Sequence, residues 1–185
     1  MDIKKVLLLG GSGFVGTYIA NRLSQRGVEV TIPTRRRERT KALIMQPNVE
    51  MPEVNINSEE ALVELMQGKD VVINLVGILH SRDVVLPYSK DFAEAHVELP
   101  KKIVAACKKA GVRRLVHMSA LGADPKGPSE YLCSKGDGEA IGHLHARYGE
   151  IGGYSAKARV AEVLHGLGFS DADFETVFNT SNTFF

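Results

Sequence analysis

The sequence predicts an α/β fold, a Rossmann-type doubly wound parallel sheet of about five strands, and three observations lead there. Short apolar runs at 4–9, 28–32, 49–56, 70–76 and 112–118 have the length of strands, and the clearest are nearly continuous, as strands buried on both faces are. Stretches with helical spacing separate them, so strands and helices alternate, as parallel βαβ units with right-handed crossovers require. Four glycines, Gly10, Gly11, Gly13 and Gly16, fall at the first strand-to-helix junction.

Each element has its own reason. KKVLLL at 4–9 is an apolar run ending in a glycine turn, and Phe14, Val15, Tyr18, Ile19 and Leu23 give 14–26 a helical stripe that Gly27 closes. The β-branched run 28–32 is the second strand, and 35–45 reads as a basic helix. Residues 49–56 make a poorer strand, because Pro52 cannot donate to a ladder, which places it near a sheet edge. Ser58 and the acids after it cap a helix over 59–67, ended by Gly68, and 70–76 is the clearest buried strand. A long amphipathic helix over 91–109, stopped by Gly111, should kink or split at Pro100 before the fifth strand at 112–118. Beyond 136, glycines punctuate a helical stretch with no strand-like run, so the expected architecture is a truncated sheet followed by a helical C-terminal segment.

Composition bounds the function. With 185 residues, 44% hydrophobic and 24% charged, the chain has the length of one globular domain with a sizeable core. Twenty-three Lys and Arg against 22 Asp and Glu leave a net charge of +1, without the basic excess that binding a nucleic-acid backbone uses. No apolar run approaches the ~20 residues of a membrane span, and no secretory h-region precedes the first strand, so a cytoplasmic address is expected. Cys107 and Cys133 are too few for a disulfide framework or a metal site, and no metal is expected.

The glycine segment satisfies GxGxxG between a strand and a helix, where a dinucleotide site needs it. The early glycines permit a tight turn, Gly13 lets the main chain approach a pyrophosphate, and Gly16 allows close helix packing. Helix N-terminal amides then meet the phosphate charge. At the end of the second strand an acid would select the ribose 2′-hydroxyl of NAD(H). Thr34-Arg35-Arg36-Arg37 stands there instead, and guanidinium groups suit a 2′-phosphate, so NADP(H) is preferred over NAD(H).

Ser119 follows the fifth strand, and twelve residues on comes Tyr131-Leu132-Cys133-Ser134-Lys135. That spacing puts Tyr131 and Lys135 on one helix face, one turn apart. An ammonium there would lower the tyrosine pKa towards working pH and make it a proton donor or acceptor, with Ser119 orienting a carbonyl or hydroxyl substrate. His80 and Arg82 follow the fourth strand near the expected nicotinamide end, and Cys133 reads as a packing thiol.

Through about residue 138 the chain resembles the short-chain dehydrogenase/reductase superfamily, in the atypical branch typified by the NADPH-binding accessory subunit of respiratory complex I. KKVLLLGGSGFVGTYIA, DVVINLVGILHSR and HVELPKKIVAACKKAGVRRLVHMSALGADPKGPSEYLCSKG carry the resemblance. It implies Gly10, Ser12, Gly13, Phe14, Val15 and Gly16 at the pyrophosphate, and Arg35 and Arg36 at the 2′-phosphate. It places Asn55 and Ile56 at the adenine, Leu75, Val76 and Gly77 along the ribose, and Ser119, Tyr131 and Lys135 as a triad, Lys135 also holding the ribose. Hydride transfer is one implied function. A non-catalytic nucleotide-binding or assembly role, in association with a respiratory or quinone-related complex, is the alternative. Three departures stand out: His96 occupies the place of a relay Asn, Asn55 that of an adenine-binding Asp, and no sixth strand or substrate lobe follows. Residues 136–175 instead resemble the helical segment ahead of the signature motif in bacterial ABC-F ATPases, without their phosphate loop. The implied division is a dinucleotide-binding domain over 1–138, a helical segment over 139–175 and an unassigned tail over 176–185, in a chimeric frame joined near 135–140.

Overall fold

In a computed structural model of the chain, residues 3–36 and 41–146 are described, with main chain only at 41–42 and 142–146. The sheet consists of β1 (Lys5–Leu9), β2 (Glu29–Thr31), β3 (Val49–Glu50), β4 (Val71–Asn74) and β5 (Leu115–His117), all parallel, in the order β3-β2-β1-β4-β5. Connections run outward from β1 in one direction and from β4 in the other. With right-handed crossovers, the helices therefore cover both faces, and a crevice opens at the carboxyl ends of β1 and β4. The sheet is the Rossmann-type one the sequence predicts. Pro52 leaves β3 only two residues long at the sheet edge, extended by one isolated bridge between Thr34 and Glu53.

Helix α1 (Phe14–Gln25) buries Ile19, Ala20 and Leu23 and ends at Gly27, whose φ of +75° suits a residue without a side chain. The basic helix expected over 35–45 is shorter: α2 spans Lys41–Ile44, and Arg35 and Arg36 precede it in a bend, because Arg36 N donates to Thr34 Oγ1 and turns the chain. Helix α3 (Glu59–Met66) starts where Ser58 Oγ accepts from Ala61 N.

The long helix expected over 91–109 is divided as Pro100 demands. Helix α4 (Lys90–Ala93) passes into a π-helical turn at Glu94–Glu98, and α5 (Leu99–Ala110) begins with Pro100 in its first turn. Proline cannot donate to the carbonyl of His96, four residues back, so the helix widens there. One face of the sheet packs Leu7, Leu9 and Val72 against Leu62 and Met66 of α3 and Leu99, Ile103 and Cys107 of α5. Helix α6 (Glu130–Ala146) runs unbroken through Gly136 and Gly138, both of which let it approach other main chain: a Cβ on Gly136 would lie 2.4 Å from Asp124 C, and one on Gly138 2.2 Å from the freed His96 carbonyl.

Candidate dinucleotide site

The glycine loop is built from β1 upward. Gly10 leaves the strand with φ +77°, and a side chain there would meet the main chain of Leu75 and Val76 at 3.0 Å, so the β1 and β4 loops lie against each other. Gly16 packs α1 onto this turn: a Cβ would sit 2.5 Å from Gly11 Cα and 2.6 Å from Gly10 O. Gly13 is the α1 N-cap with no side-chain cap, and no acid stands in the first turn. The amides of Phe14, Val15 and Gly16 therefore lead the positive end of the helix with no side chain to satisfy them. Ser12, Gly13 and Phe14 are exposed at this mouth. Open main-chain donors at a helix start are what a pyrophosphate requires, so the residues present fit a dinucleotide.

Across the crevice, Asn74 is fully buried and fixes the exit of β4: its Oδ1 accepts from Val76 N at 3.1 Å, and its amide donates to His117 Nδ1 at 2.9 Å. Lys135 reaches this point from α6. Its Nζ donates to Met118 O at 3.1 Å, and a side chain on Gly77 would lie 3.1 Å from that Nζ and 3.4 Å from His96 Nε2. Burial lowers the Lys135 ammonium to about 8.

His96 binds these parts together. Ile78 N donates to its Nε2 at 3.0 Å, which leaves the proton on Nδ1, and Nδ1 pairs with Ser134 Oγ at 2.9 Å. Ser134 in turn donates to Tyr131 O. Burial, and then the charge of Lys135, drop its pKa to about 3, so the ring is neutral. His96 is thus a clamp joining the β4 loop, the π turn and α6. Of these features only Pro100 was a readable signal, since a proline frees the carbonyl four residues before it.

Tyr131 and Lys135 share α6 one turn apart, as their spacing requires. The Tyr131 ring packs edge-on against His96 and Phe92. The expected lowering of its pKa is reversed: burial raises it, and Lys135, itself carrying the penalty of burial, does not offset that. Ser119 directly follows Met118, whose carbonyl receives Lys135 Nζ, and its own Oγ donates to Glu139 Oε2 at 3.0 Å. Arg35 and Arg36 are exposed beyond β2. Asn55 is exposed and accepts from Asn57 N, whereas Ile56 turns inward and packs against the core. His80 is exposed, Arg82 pairs with Asp91 at 3.3 Å, and Cys133 is buried with its thiol donating to Gly127 O. Among the described residues no group of His, Cys, Asp or Glu is arranged for a metal, and no helix is long and apolar enough to cross a membrane.

Comparisons with known proteins agree with this geometry. The model of the NAD dependent epimerase/dehydratase family matches residues 6–149. Curated relatives include the mitochondrial NADH-ubiquinone oxidoreductase 40 kDa subunit of Neurospora crassa, 31% identical over 137 residues, covering 72% of this chain and 35% of that protein. Another is the mouse mitochondrial NADH dehydrogenase [ubiquinone] 1 alpha subcomplex subunit 9, 32% identical over 139 residues, with 71% and 35% covered. The chain spans about a third of the length of these relatives. Among solved structures, the UDP-glucuronic acid 4-epimerase of Bacillus cereus in complex with UDP-glucuronic acid and NAD shares the fold, with a TM-score of 0.65, 21% identity, and 77% of this chain and 52% of that one covered.

Two expectations need correction. A cytoplasmic address does not stand, because curated relatives of 27–32% identity are named mitochondrial. The ATPase-like origin of 136–175 finds no support either. The family match runs to residue 149 and α6 crosses the supposed join without a break, its glycines explained by close packing; residues 147–185 lie outside those described. The crevice, the glycine loop and the family match together place the chain in the NAD dependent epimerase/dehydratase family, with a Rossmann-type dinucleotide-binding fold.

Proposed function

We propose that this chain is an NADP(H)-binding module that holds the dinucleotide as part of an assembly rather than turning it over. The observation that carries the nucleotide is the α1 N-terminus, uncapped and without an acid at the mouth of the glycine loop. The amides after Gly13 would take the pyrophosphate, Arg35 and Arg36 the 2′-phosphate, and Lys135 a ribose hydroxyl beside Gly77. When bound, the nicotinamide supplies hydride chemistry. What favours holding over turnover is the Ser119 hydroxyl. It donates to Glu139, so its proton is engaged within the protein rather than offered to a substrate oxygen. Similarity to proteins named as subunits of an NADH-ubiquinone oxidoreductase points to a respiratory complex as the assembly.

A second reading, hydride transfer to a carbonyl, draws on Tyr131 and Lys135 standing one turn apart on α6 with Lys135 at the β4 loop. Binding and turnover measured side by side separate the two. We expect NADPH to bind at least about tenfold more tightly than NADH, a preference that Arg35→Ala removes, since one charge-assisted hydrogen bond to phosphate contributes about 1.5–3 kcal/mol. We expect no NADPH oxidation with simple ketones or aldehydes. Oxidation that Tyr131→Phe abolishes would establish the second reading, and equal affinity for both nucleotides would remove the 2′-phosphate assignment.

A further inference from the structure

The amino ends of the strands, opposite the nucleotide crevice, carry a row of cations. Lys4 precedes and Lys5 opens β1, Lys69 comes just before β4, and Arg113 and Arg114 lead into β5. Main-chain bonds fix these starts side by side: Asp70 N donates to Lys5 O at 2.9 Å, and Val72 N to Arg114 O at 3.0 Å. Neighbouring strands lie about 4.8 Å apart, so the cations of β1, β4 and β5 leave the sheet within a width of about 10 Å. The whole chain has a net charge of only +1, so this excess is local.

The carboxylates on the same strand starts are already engaged. Glu29 pairs with Lys5 at 3.4 Å, and Asp70 Oδ2 accepts from the amides of Lys4 and Lys5, both at 2.8 Å. Lys69 Nζ is likewise held, by Thr31 Oγ1 at 2.6 Å. Arg113 and Arg114 are exposed, and neither side chain makes a hydrogen bond or ion pair with another described residue. Adjacent guanidinium groups match carboxylates with paired planar donors, as an ammonium cannot. None of the large apolar side chains exposed among the described residues belongs to the row, so it offers a bilayer nothing to insert, and no aromatic ring stands in it to stack a base. The five residues of β1 set about 16 Å between the row and the glycine loop, so a partner seated here leaves the nucleotide mouth open.

We propose that this row docks an acidic surface of another protein, whose carboxylates take Arg113, Arg114 and Lys4. The assignment rests on the assembly reading of the chain and gives it a face, at the end of the sheet remote from the dinucleotide.

The test follows the fluorescence anisotropy of a labelled glutamate decapeptide titrated with the 185-residue chain, beside a labelled lysine decapeptide and co-sedimentation with phosphatidylserine vesicles. The glutamate peptide binds; the lysine peptide and the vesicles do not. Raising salt from about 0.1 M to about 1 M, which shortens the screening length from about 10 Å to about 3 Å, weakens binding at least about tenfold. Arg113→Glu weakens it at least about fivefold, and adding Arg114→Glu weakens it further, while melting temperature and NADPH affinity stay unchanged. Lys90→Glu, the same charge change at an exposed position on α4, leaves affinity within about twofold, because distant charges are screened. No binding of the glutamate peptide, equal losses in Arg113→Glu and Lys90→Glu, or vesicles binding in place of the peptide would overturn the docking row. NADPH oxidation that Tyr131→Phe abolishes, with peptide binding still lost in Arg113→Glu, would overturn the holding role alone and leave the row standing.

Discussion

Gly16 and Gly27 show how the same residue serves two physical ends. Gly27 has open space around it and is a glycine because its φ is +75°; Gly16 has ordinary dihedrals and is a glycine because Gly10 and Gly11 lie where a Cβ would go. Gly27→Ala should cost about 1–2 kcal/mol, the penalty of a left-handed residue, and leave nucleotide binding intact. Gly16→Ala should cost about 1–3 kcal/mol by overpacking and also weaken NADPH, because relief of the clash displaces the phosphate-binding amides. Urea denaturation and nucleotide titration of both variants separate the two effects. Equal NADPH affinity in both would show that Gly16 serves stability alone. The glycine pattern was legible because backbone geometry imposes it residue by residue. The Ser119 hydroxyl bond to Glu139 was not, since no spacing rule links a loop residue to a helix twenty positions away.

At the scale of elements, the joint between the π turn and α6 organises the site. Pro100 frees the His96 carbonyl, Gly138 lets α6 lie against it, and the His96 ring reaches Ile78 and Ser134. Gly138→Ala would raise intrinsic helix propensity by about 1 kcal/mol, yet should lower overall stability by about 1–3 kcal/mol, since its Cβ would sit 2.2 Å from that carbonyl. A rise in denaturation midpoint would contradict this docking. From the sequence, the strands, α1, α3 and the break at Pro100 could be read, because hydrophobic period, Ser58 and proline act locally. The bend that keeps Arg35 and Arg36 out of the basic helix could not, because the Thr34 side chain that accepts from Arg36 N competes with helix formation only in the folded context. Nor could the reason for the glycines within α6, which shows only once the main chain that Gly136 and Gly138 pack against is in view.

Over the described part of the molecule, two histidines in the interior set the direction of the response to acid. His96 and His117 are held neutral by burial, with pKa values near about 3 and about 4 against an ordinary 6.5. Below pH 6.5 the unfolded chain takes up protons that the folded chain refuses, so stability falls as pH drops towards 4 and levels off beneath the folded values. Asp70, held below its usual 3.8 by the amides of Lys4 and Lys5, adds a loss in the same direction at still lower pH. The melting temperature should therefore decrease from pH 7 to pH 4, and His96→Asn should flatten that decline. A flat profile in the unsubstituted protein would mean the two rings are not held neutral.

The central claim is that the α1 N-terminus receives a pyrophosphate, and Gly13→Asp tests it most directly. Gly13 is the exposed N-cap in extended backbone, where a Cβ would meet Gly10 O at 3.3 Å, so an aspartate enters with a shift of a few tenths of an ångström in the turn and caps the open amides itself. Calorimetric titration with NADPH should give saturable, one-to-one binding in the unsubstituted chain. In Gly13→Asp, the new cap and the tight contact with Gly10 O offset each other, so stability should change by no more than about 1 kcal/mol, while NADPH affinity falls by about a hundredfold or more. Absent NADPH binding in the unsubstituted chain, or undiminished affinity in Gly13→Asp, would contradict the account.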